Sequence, residues 1–254
     1  MVRKAREKSS TGIYHIMLRG INKQDIFNDD EDRMKFIETL EKYKKVSEYE
    51  VYGYCLMSNH IHLLIKEGKE PISNTMKRIG VSYVYWYNIK YERYGHLFQD
   101  RYKSEKVEDD KYLMVVLRYI HQNPLKAGMV ESIDKYKWSS YGDYVEGKST
   151  LINIGFIYNI LNTNLNKAKD IFREFMNEVN EDKCLDVNFR KRPMSDEEAK
   201  KIIKETVHLD NPQMLQQMSK TERDAIIRKL KEKDISIRQL ARITGLGRRV
   251  IEKA

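Results

Sequence analysis

Four stretches in the first half of the chain have the hydrophobic patterns of β-strands. They alternate apolar and polar positions, or are almost continuously apolar and rich in strand-forming residues. A short Ser58-Asn59 dipeptide, which favours a tight turn, separates the second stretch from the third and predicts a β-hairpin there. In order, the stretches cover residues 12–19, 49–57, 60–66 and 101–107.

Segments with helical spacing lie between these strands. Apolar residues recur at near-helical intervals up to about residue 47, Pro71 suits a first helical turn, and Asp109 or Asp110 can cap a further helix. Pro124 is expected to end that helix. The order β-α-β-β-α-β with an added helix predicts an α+β fold of the ferredoxin-like type, an antiparallel four-stranded sheet with helices on one face.

Shifts in polarity divide the chain into three predicted regions. A first domain is expected over residues 1–150, a helical extension and linker over 151–195, and an all-α domain over 196–254. The polar stretch 181–198 is the predicted linker, because it lacks a regular apolar pattern and contains turn-forming residues.

The sequence ISIRQLARITGLGRRVIEKA near the C-terminus has the spacing of a helix-turn-helix. Ser236 and Gln239 form a capping-box pattern, and Gly245 suits the turn between two helices. The second helix would present Arg248 and Arg249 at its start. An ordinary helical hairpin explains the same spacing, but its coincidence with basic charge favours DNA binding.

Basic residues outnumber acidic ones and are concentrated near the C-terminus. Of the net charge of +9 over 254 residues, residues 225–254 supply +6, from nine basic and three acidic side chains. This indicates a polyanionic partner, above all nucleic acid, although a solvated basic helix face gives the same count. Neither an apolar run of about 20 residues nor a secretion signal is present, so no membrane contact is expected and the predicted location is the cytoplasm.

Two histidines in the run LMSNHIHLLI are candidates for a metal site. On a strand, His60 and His62 point to the same face while Ile61 packs on the other, so two imidazoles lie side by side. Two polar residues on a half-exposed strand are the simpler alternative. In LRYIHQNP, Tyr119 and Asn123 are four residues apart and share one helix face, which permits a hydroxyl and a further ligand beside the histidines.

Several motifs, taken in order, resemble the REP-associated branch of the single-tyrosine HUH transposases. These are YHIMLRGINKQDIFND, MSNHIHLLI, GHLFQDRYKSEKV, YLMVVLRYIHQNPLKAGMV and YKWSSYGDY, so the resemblance covers about residues 10–145. It implies the HUH nuclease fold for this region. The C-terminal segment separately resembles the helical DNA-binding domain of bacterial replication initiators.

The resemblance implies a site made of metal ligands and a nucleophile. The family's H-hydrophobic-H ligands fall on His60 and His62, and its nucleophile falls on Tyr119. Related enzymes often use Gln four residues after the tyrosine as a third ligand, and here that position is Asn123. His121 and Gln122 are rivals for this role, although His121 is expected to point away from the Tyr119 face.

The implied reaction is cleavage and joining of single-stranded DNA at hairpins through a 5′-phosphotyrosine, with Mg²⁺ or Mn²⁺ as the metal. Expected partners are single-stranded and hairpin DNA and, through the C-terminal helices, duplex DNA, in a nucleoid-associated monomer or homodimer. A regulator that binds hairpins without cutting them, and a phosphodiesterase that uses water, are the alternatives. The candidate DNA contacts are Arg19, Lys23, Lys90, Arg93, Arg101, Lys103, Arg248 and Arg249.

Overall fold

The computed structural model describes residues 6–185, 196–207, 212–231, 233 and 235–254. The chain divides into two compact units, Met1–Asp186 and Val187–Ala254. The predicted helical extension packs into the core of the first unit, to which it contributes Ile157, Phe172 and Met176. Most of the predicted linker falls on residues 186–195, which lie outside the described residues.

The first unit contains a four-stranded sheet in the order β2-β3-β1-β4, in which every neighbouring pair is antiparallel. This is the strand order of the predicted ferredoxin-like fold, and the predicted α+β class is confirmed. The strands are β1 at Ile13–Arg19, β2 at Glu50–Leu56, β3 at His60–Lys66 and β4 at Lys103–Val107.

Six α-helices belong to this unit, with short 3-10 turns at Ile21–Lys23 and Ile133–Lys135 among the described residues. The second of these helices, which starts directly after Pro71, ends at Lys90. The helices are α1 at Asp30–Ser47, α2 at Ile72–Lys90, α3 at Asp110–Lys126, α4 at Tyr141–Glu146, α5 at Ile154–Leu161 and α6 at Leu165–Asn177.

Helices cover both faces of the sheet. Helices α1 and α2 pack together, and Leu18 of β1 lines a cavity with Met76 of α2. Met17, the strand residue directly before Leu18, points to the opposite face of the sheet. So does its cross-strand partner His62, whose ring contacts Tyr119 of α3. The expectation of helices on one face therefore holds for α1 and α2, while the added helix α3 lies on the other face.

Helix α3 begins where the sequence predicts and ends later. The side chain of Asp109 caps it by accepting a hydrogen bond from the amide of Tyr112 at 2.7 Å. The helix then continues through Pro124 to Lys126, so the expectation that Pro124 ends it is wrong. Proline removes one amide donor but has a helical φ, and close to the end of a helix that loss is tolerated more easily than in the middle.

The described residues of the second unit contain helices and no strand, as predicted for the C-terminal region. Ser236 accepts a hydrogen bond from the amide of Gln239 at 3.2 Å, and Gly245 ends the helix with a φ of 72°. Arg248 and Arg249 are exposed at the start of the next helix. The helices are α7 at Asp196–Val207, α8 at Lys220–Lys231, α9 at Ile237–Thr244 and α10 at Arg248–Lys253, with a 3-10 turn at Pro212–Gln216.

The described helices were also compared with the requirements of a membrane span. None of them is both long enough and apolar enough to cross a bilayer.

Candidate active site

The two histidines of strand β3 lie side by side beneath helix α3. His62 is completely buried and His60 is 8% exposed, and their ring centroids are 5.1 Å apart with the rings nearly perpendicular. Ile61, between them, is buried on the other face. The alternation of the strand thus brings two imidazoles to one face, as the HIH spacing predicts.

Helix α3 brings Asn123 and Tyr119 to the same place. The Asn123 amide lies between the two histidines, with Oδ1 3.3 Å from His60 Nε2 and Nδ2 3.4 Å from His62 Nε2. The Tyr119 ring packs edge-on to His62 at 5.7 Å between centroids, and Tyr119 is 5% exposed. The four-residue spacing on one helix face produces this arrangement.

The two rival ligands point elsewhere. His121 is buried among aromatic rings, and its Nε2 lies 2.8 Å from Ser140 Oγ. Burial lowers the pKa of His121 to about 3, so the ring is neutral. Gln122 donates hydrogen bonds to the backbone carbonyls of Met176 and Glu178. Both side chains join α3 to neighbouring parts of the fold and lie away from the His60–His62 pair.

A third histidine and a carboxylate extend the cluster, and the sequence patterns did not single them out. His15 Nε2 lies 2.9 Å from His62 Nδ1, and His15 Nδ1 lies 3.6 Å from Glu105 Oε2. The register explains the contact, because His15 is the cross-strand partner of Glu105 and lies diagonally opposite His62. Strand alternation could have placed His15 and Glu105 on defined faces, but only the strand order makes them neighbours.

His60 has an orienting partner of its own. Its Nδ1 lies 2.7 Å from Asn59 Oδ1, an oxygen that can only accept, so His60 donates from Nδ1. The amide nitrogen of Asn59 in turn donates to the carbonyl of Lys23 at 3.3 Å. If His60 carries its single proton on Nδ1, its Nε2 lone pair faces Asn123 Oδ1 at 3.3 Å, so two acceptor atoms lie side by side, as two ligands of one cation do.

Burial determines the charge of the central histidine. Desolvation, reinforced by the neighbouring His15 and His60, lowers the pKa of His62 well below its usual value. His62 is therefore a neutral imidazole at physiological pH, which is the form that binds metal ions. The pKa of Glu105 is lowered although burial opposes its charge, because hydrogen bonds from His15, Tyr112 and the amide of Leu185 outweigh that penalty.

Four of the predicted DNA contacts lie near the histidine end of the sheet. Arg19 is the cross-strand partner of His60, and Lys23 lies in the 3-10 turn that follows β1. Arg101 and Lys103 are exposed where β4 begins. The structure thus brings these four basic residues to the side of the sheet from which a strand could reach His60.

The two basic residues of the α2 region have protein partners. Lys90 is 19% exposed and forms ion pairs with Asp29, Glu31 and Asp32 at the start of α1. Arg93 donates a hydrogen bond to the carbonyl of His96 at 3.3 Å. Lys90 therefore joins α2 to α1, which differs from the phosphate contact suggested by its charge.

The donor atoms at the centre suit a divalent cation with mixed nitrogen and oxygen ligands. Two imidazoles and one amide converge, and an amide oxygen is a common ligand of hard cations. No cluster of three or more His, Cys, Asp or Glu side chains within the described ranges is arranged to hold a metal. A site here would thus depend on the Asn123 amide as well as on the two histidines.

A family model matches most of the sheet-containing part of the first unit. Residues 8–123 match the family described as "Transposase IS200 like". The resemblance predicted from the motifs is confirmed for this region. The matched region contains His60, His62, Tyr119 and Asn123, together with His15 and Glu105.

Individual relatives agree with the family match. A Haemophilus influenzae protein, whose name assigns it to the REP-associated tyrosine transposases, is 27% identical over 125 residues, covering 44% of this chain and 67% of the relative. A solved structure of a REP-associated tyrosine transposase bound to a REP hairpin superposes with a TM-score of 0.50 at 18% identity, covering 61% of this chain and 90% of the other. The structural likeness supports the fold of the first unit.

Proposed function

We propose that the first unit is a metal-dependent endonuclease and strand transferase for single-stranded DNA, acting at hairpins through a 5′-phosphotyrosine. The observation that carries this proposal is the position of Tyr119 beside two imidazoles and an amide in a region that matches IS200-like transposases. The REP hairpin bound by the structural relative makes hairpin DNA the substrate to test.

The proposed metal ligands are His60 Nε2, His62 Nε2 and the amide oxygen of Asn123. When bound, Mg²⁺ or Mn²⁺ would supply positive charge that polarises the scissile phosphate. The chain contributes the neutral state of His62 and the fixed positions of both imidazoles on one strand. Because two of the three donors are nitrogen, Mn²⁺ suits the ligand set better than Mg²⁺.

Tyr119 is the proposed nucleophile. Its phenol oxygen forms a bond to phosphorus as the bond to the departing 3′ oxygen breaks, and the phenol proton is lost while the 3′ oxygen gains one. The products are a 5′-phosphotyrosine and a free 3′-hydroxyl. A second 3′-hydroxyl can reverse the step, so strand transfer requires no external energy source.

Basic residues at the histidine end of the sheet are proposed to hold the DNA backbone. Arg19 lies opposite His60, Lys23 follows β1, and Arg101 and Lys103 lie where β4 begins. Contacts from such residues to phosphate contribute affinity without sequence preference. The exposed Arg248 and Arg249 of the second unit are proposed to bind duplex DNA. We omit Lys90 from this surface because three carboxylates already hold its ammonium group.

The test is covalent capture of DNA. The purified chain is incubated with Mn²⁺ and a 3′-fluorescent single-stranded oligonucleotide that contains a hairpin with unpaired flanks, so that the labelled fragment stays on the tyrosine, and the products are separated on a denaturing gel. A labelled hairpin library replaces the single oligonucleotide if the preferred sequence must be found. We expect a protein–DNA adduct from the wild type and none from Tyr119→Phe.

Tyr141→Phe is the matched control, because Tyr141 is also 5% exposed but contacts His121 and Phe172, far from the histidine pair. It should form the adduct as the wild type does. Cleavage that persists in Tyr119→Phe would instead support a phosphodiesterase that uses water. Hairpin binding without cleavage in Mn²⁺ or Mg²⁺ would support the non-catalytic regulator.

A further inference from the structure

Two buried or half-buried side chains, His15 and Glu105, lie in line behind the proposed metal ligand His62. Glu105 Oε2 is 3.6 Å from His15 Nδ1, and His15 Nε2 is 2.9 Å from His62 Nδ1. His15 and His62 are both completely buried, so bulk water does not compete for their ring nitrogens. In such surroundings each ring proton must be directed at a protein acceptor.

The proton positions follow from the far end of the line. The amide nitrogen of Asn123 can only donate, and it lies 3.4 Å from His62 Nε2, so Nε2 carries the lone pair. A neutral His62 then has its proton on Nδ1 and donates it to His15 Nε2. His15, accepting at Nε2, has its own proton on Nδ1, which faces the Glu105 carboxylate. Every donor in the line meets an acceptor.

Glu105 is held in place by groups outside the line. Its Oε2 accepts a hydrogen bond from the amide of Leu185 at 2.8 Å, and Tyr112 of α3 also donates to it. Its position on β4, directly opposite His15 on β1, fixes the direction of approach. The carboxylate is therefore a fixed acceptor at the end of the line.

We propose that His15 and Glu105 are positioning residues that hold His62 as the Nδ1-protonated tautomer, so that its Nε2 lone pair is directed at a divalent cation. The inference rests on the proposed metal site, and it assigns roles to two residues beyond the proposed ligands and nucleophile. Metal-bound histidines elsewhere donate their second ring nitrogen to a carboxylate or carbonyl. Here a second imidazole is inserted between the carboxylate and the ligand.

Two measurements test the proposal without DNA. Long-range ¹⁵N–¹H correlation spectra of the metal-free protein report which nitrogen of His62 carries the proton, and calorimetry reports Mn²⁺ affinity. We expect His62 to be protonated at Nδ1 in the wild type. His15→Phe, which removes the acceptor but keeps a ring, should lower Mn²⁺ affinity 10–100-fold, the range found for such outer partners.

Conservative variants separate positioning from packing. His15→Gln keeps an oxygen that can accept from His62 Nδ1 and should restore most of the Mn²⁺ affinity lost in His15→Phe. Glu105→Gln should lower the affinity by a few-fold to tenfold, and it remains informative if His15→Phe does not fold. Glu108→Gln is the matched control, because Glu108 binds Ser10 and lies away from the histidines.

The proposal would be overturned by a His62 ring protonated at Nε2 in the metal-free wild type. Wild-type Mn²⁺ affinity in a folded His15→Phe or Glu105→Gln protein would also overturn it. Tyr119→Phe should bind Mn²⁺ like the wild type, so loss of the DNA adduct with intact Mn²⁺ affinity concerns the nuclease proposal alone. Failure of the two proposals is therefore distinguishable.

Discussion

Two adjacent faces of helix α3 carry different kinds of side chain. On one face, the Asn123 amide lies 3.3 Å from His60 and 3.4 Å from His62, and the Tyr119 ring packs edge-on against His62. On the next face, Arg118 and Gln122 make short hydrogen bonds to residues 175–182. The polar groups of the first face point toward the proposed metal site, whereas those of the second face attach α3 to residues 175–182.

The segment LRYIHQNP therefore carries two sets of side chains, one that faces the histidines and one that fixes the helix in place. Arg118 stacks over Phe175 with 4.0 Å between guanidinium and ring centroid, and it pairs with Asp182 at 2.9 Å and with Glu178. Phe175 lies in the last turn of α6, and Glu178 and Asp182 follow that helix in the same unit. These three contacts therefore fix the position of the helix that carries Tyr119. A nucleophile must be placed within about half an ångström of its productive position, which a fastened helix provides.

The largest expected effect comes from Asn123 on the first face. Asn123→Ala removes the proposed third ligand but no hydrogen bond to the second face, so it should reduce adduct formation about 1000-fold, equivalent to about 4 kcal/mol. The free energy of unfolding should change by less than about 1 kcal/mol, since an exposed-edge polar contact contributes little. Gel-based adduct rates and urea unfolding measure the two quantities.

Asn123→Asp is the control for this prediction, because it keeps an oxygen at the same reach and should retain most of the activity with Mn²⁺. A fall in unfolding free energy that matches the fall in activity of Asn123→Ala would remove the distinction between the two faces.

Arg118 should show the opposite behaviour. Arg118→Ala leaves the carboxylate of Asp182, whose side chain is 14% exposed, without its cation, so we expect unfolding to become easier by about 3 kcal/mol. Urea denaturation measures this loss. At temperatures where the variant stays folded, adduct formation should fall less than tenfold, since Arg118 does not touch the histidines.

Arg118→Met with Asp182→Leu and Glu178→Gln tests whether charge or packing matters, because an apolar replacement of a buried ion pair is often neutral. If Arg118→Ala abolished adduct formation in a protein that remained fully folded, the fastening role would be insufficient and a direct role would be required.

Local sequence patterns were enough to predict the proposed ligands and the nucleophile. The residues that support them could not be predicted in this way, because they come from distant parts of the chain. Strand alternation placed His60 and His62 together, and helix spacing placed Tyr119 beside Asn123. His15 and Glu105 were missed because they meet through the β1–β4 register, across ninety positions of sequence. The partners of Arg118 were missed for the same reason, since residues 175–182 reach α3 only after α4, α5 and α6 have packed.

The approach of α3 to the sheet depends on Gly53 in strand β2. A Cβ atom at this position would lie 2.4 Å from Leu117 Cδ1 and 3.5 Å from Ser140 Oγ. Gly53→Ala therefore overpacks the interface and should lower the free energy of unfolding by about 2 kcal/mol. Because the helix must move away, both faces of α3 should be affected, and adduct formation should fall with stability.

Thermal and urea unfolding of Gly53→Ala measure this loss in the free energy of unfolding. The double variant Gly53→Ala with Leu117→Val is the control, because the smaller Val side chain makes room for the added Cβ atom. If the single variant unfolds like the wild type, the sheet and α3 can separate without cost, and the position of Tyr119 is less constrained than the packing indicates.

Gln122 offers the smallest and most selective test of the comparison. Its amide donates to the carbonyls of Met176 at 2.8 Å and Glu178 at 2.9 Å, and its oxygen accepts from Asn180 at 2.8 Å. Gln122→Leu keeps the volume but leaves those groups to water or to each other, so unfolding should become easier by about 1 kcal/mol. Gln122 and Asn123 are neighbours in sequence, yet Mn²⁺ affinity should be unchanged in Gln122→Leu and strongly reduced in Asn123→Ala. Loss of Mn²⁺ affinity in a folded Gln122→Leu protein would show that the second face acts on the ligands as well as on the helix.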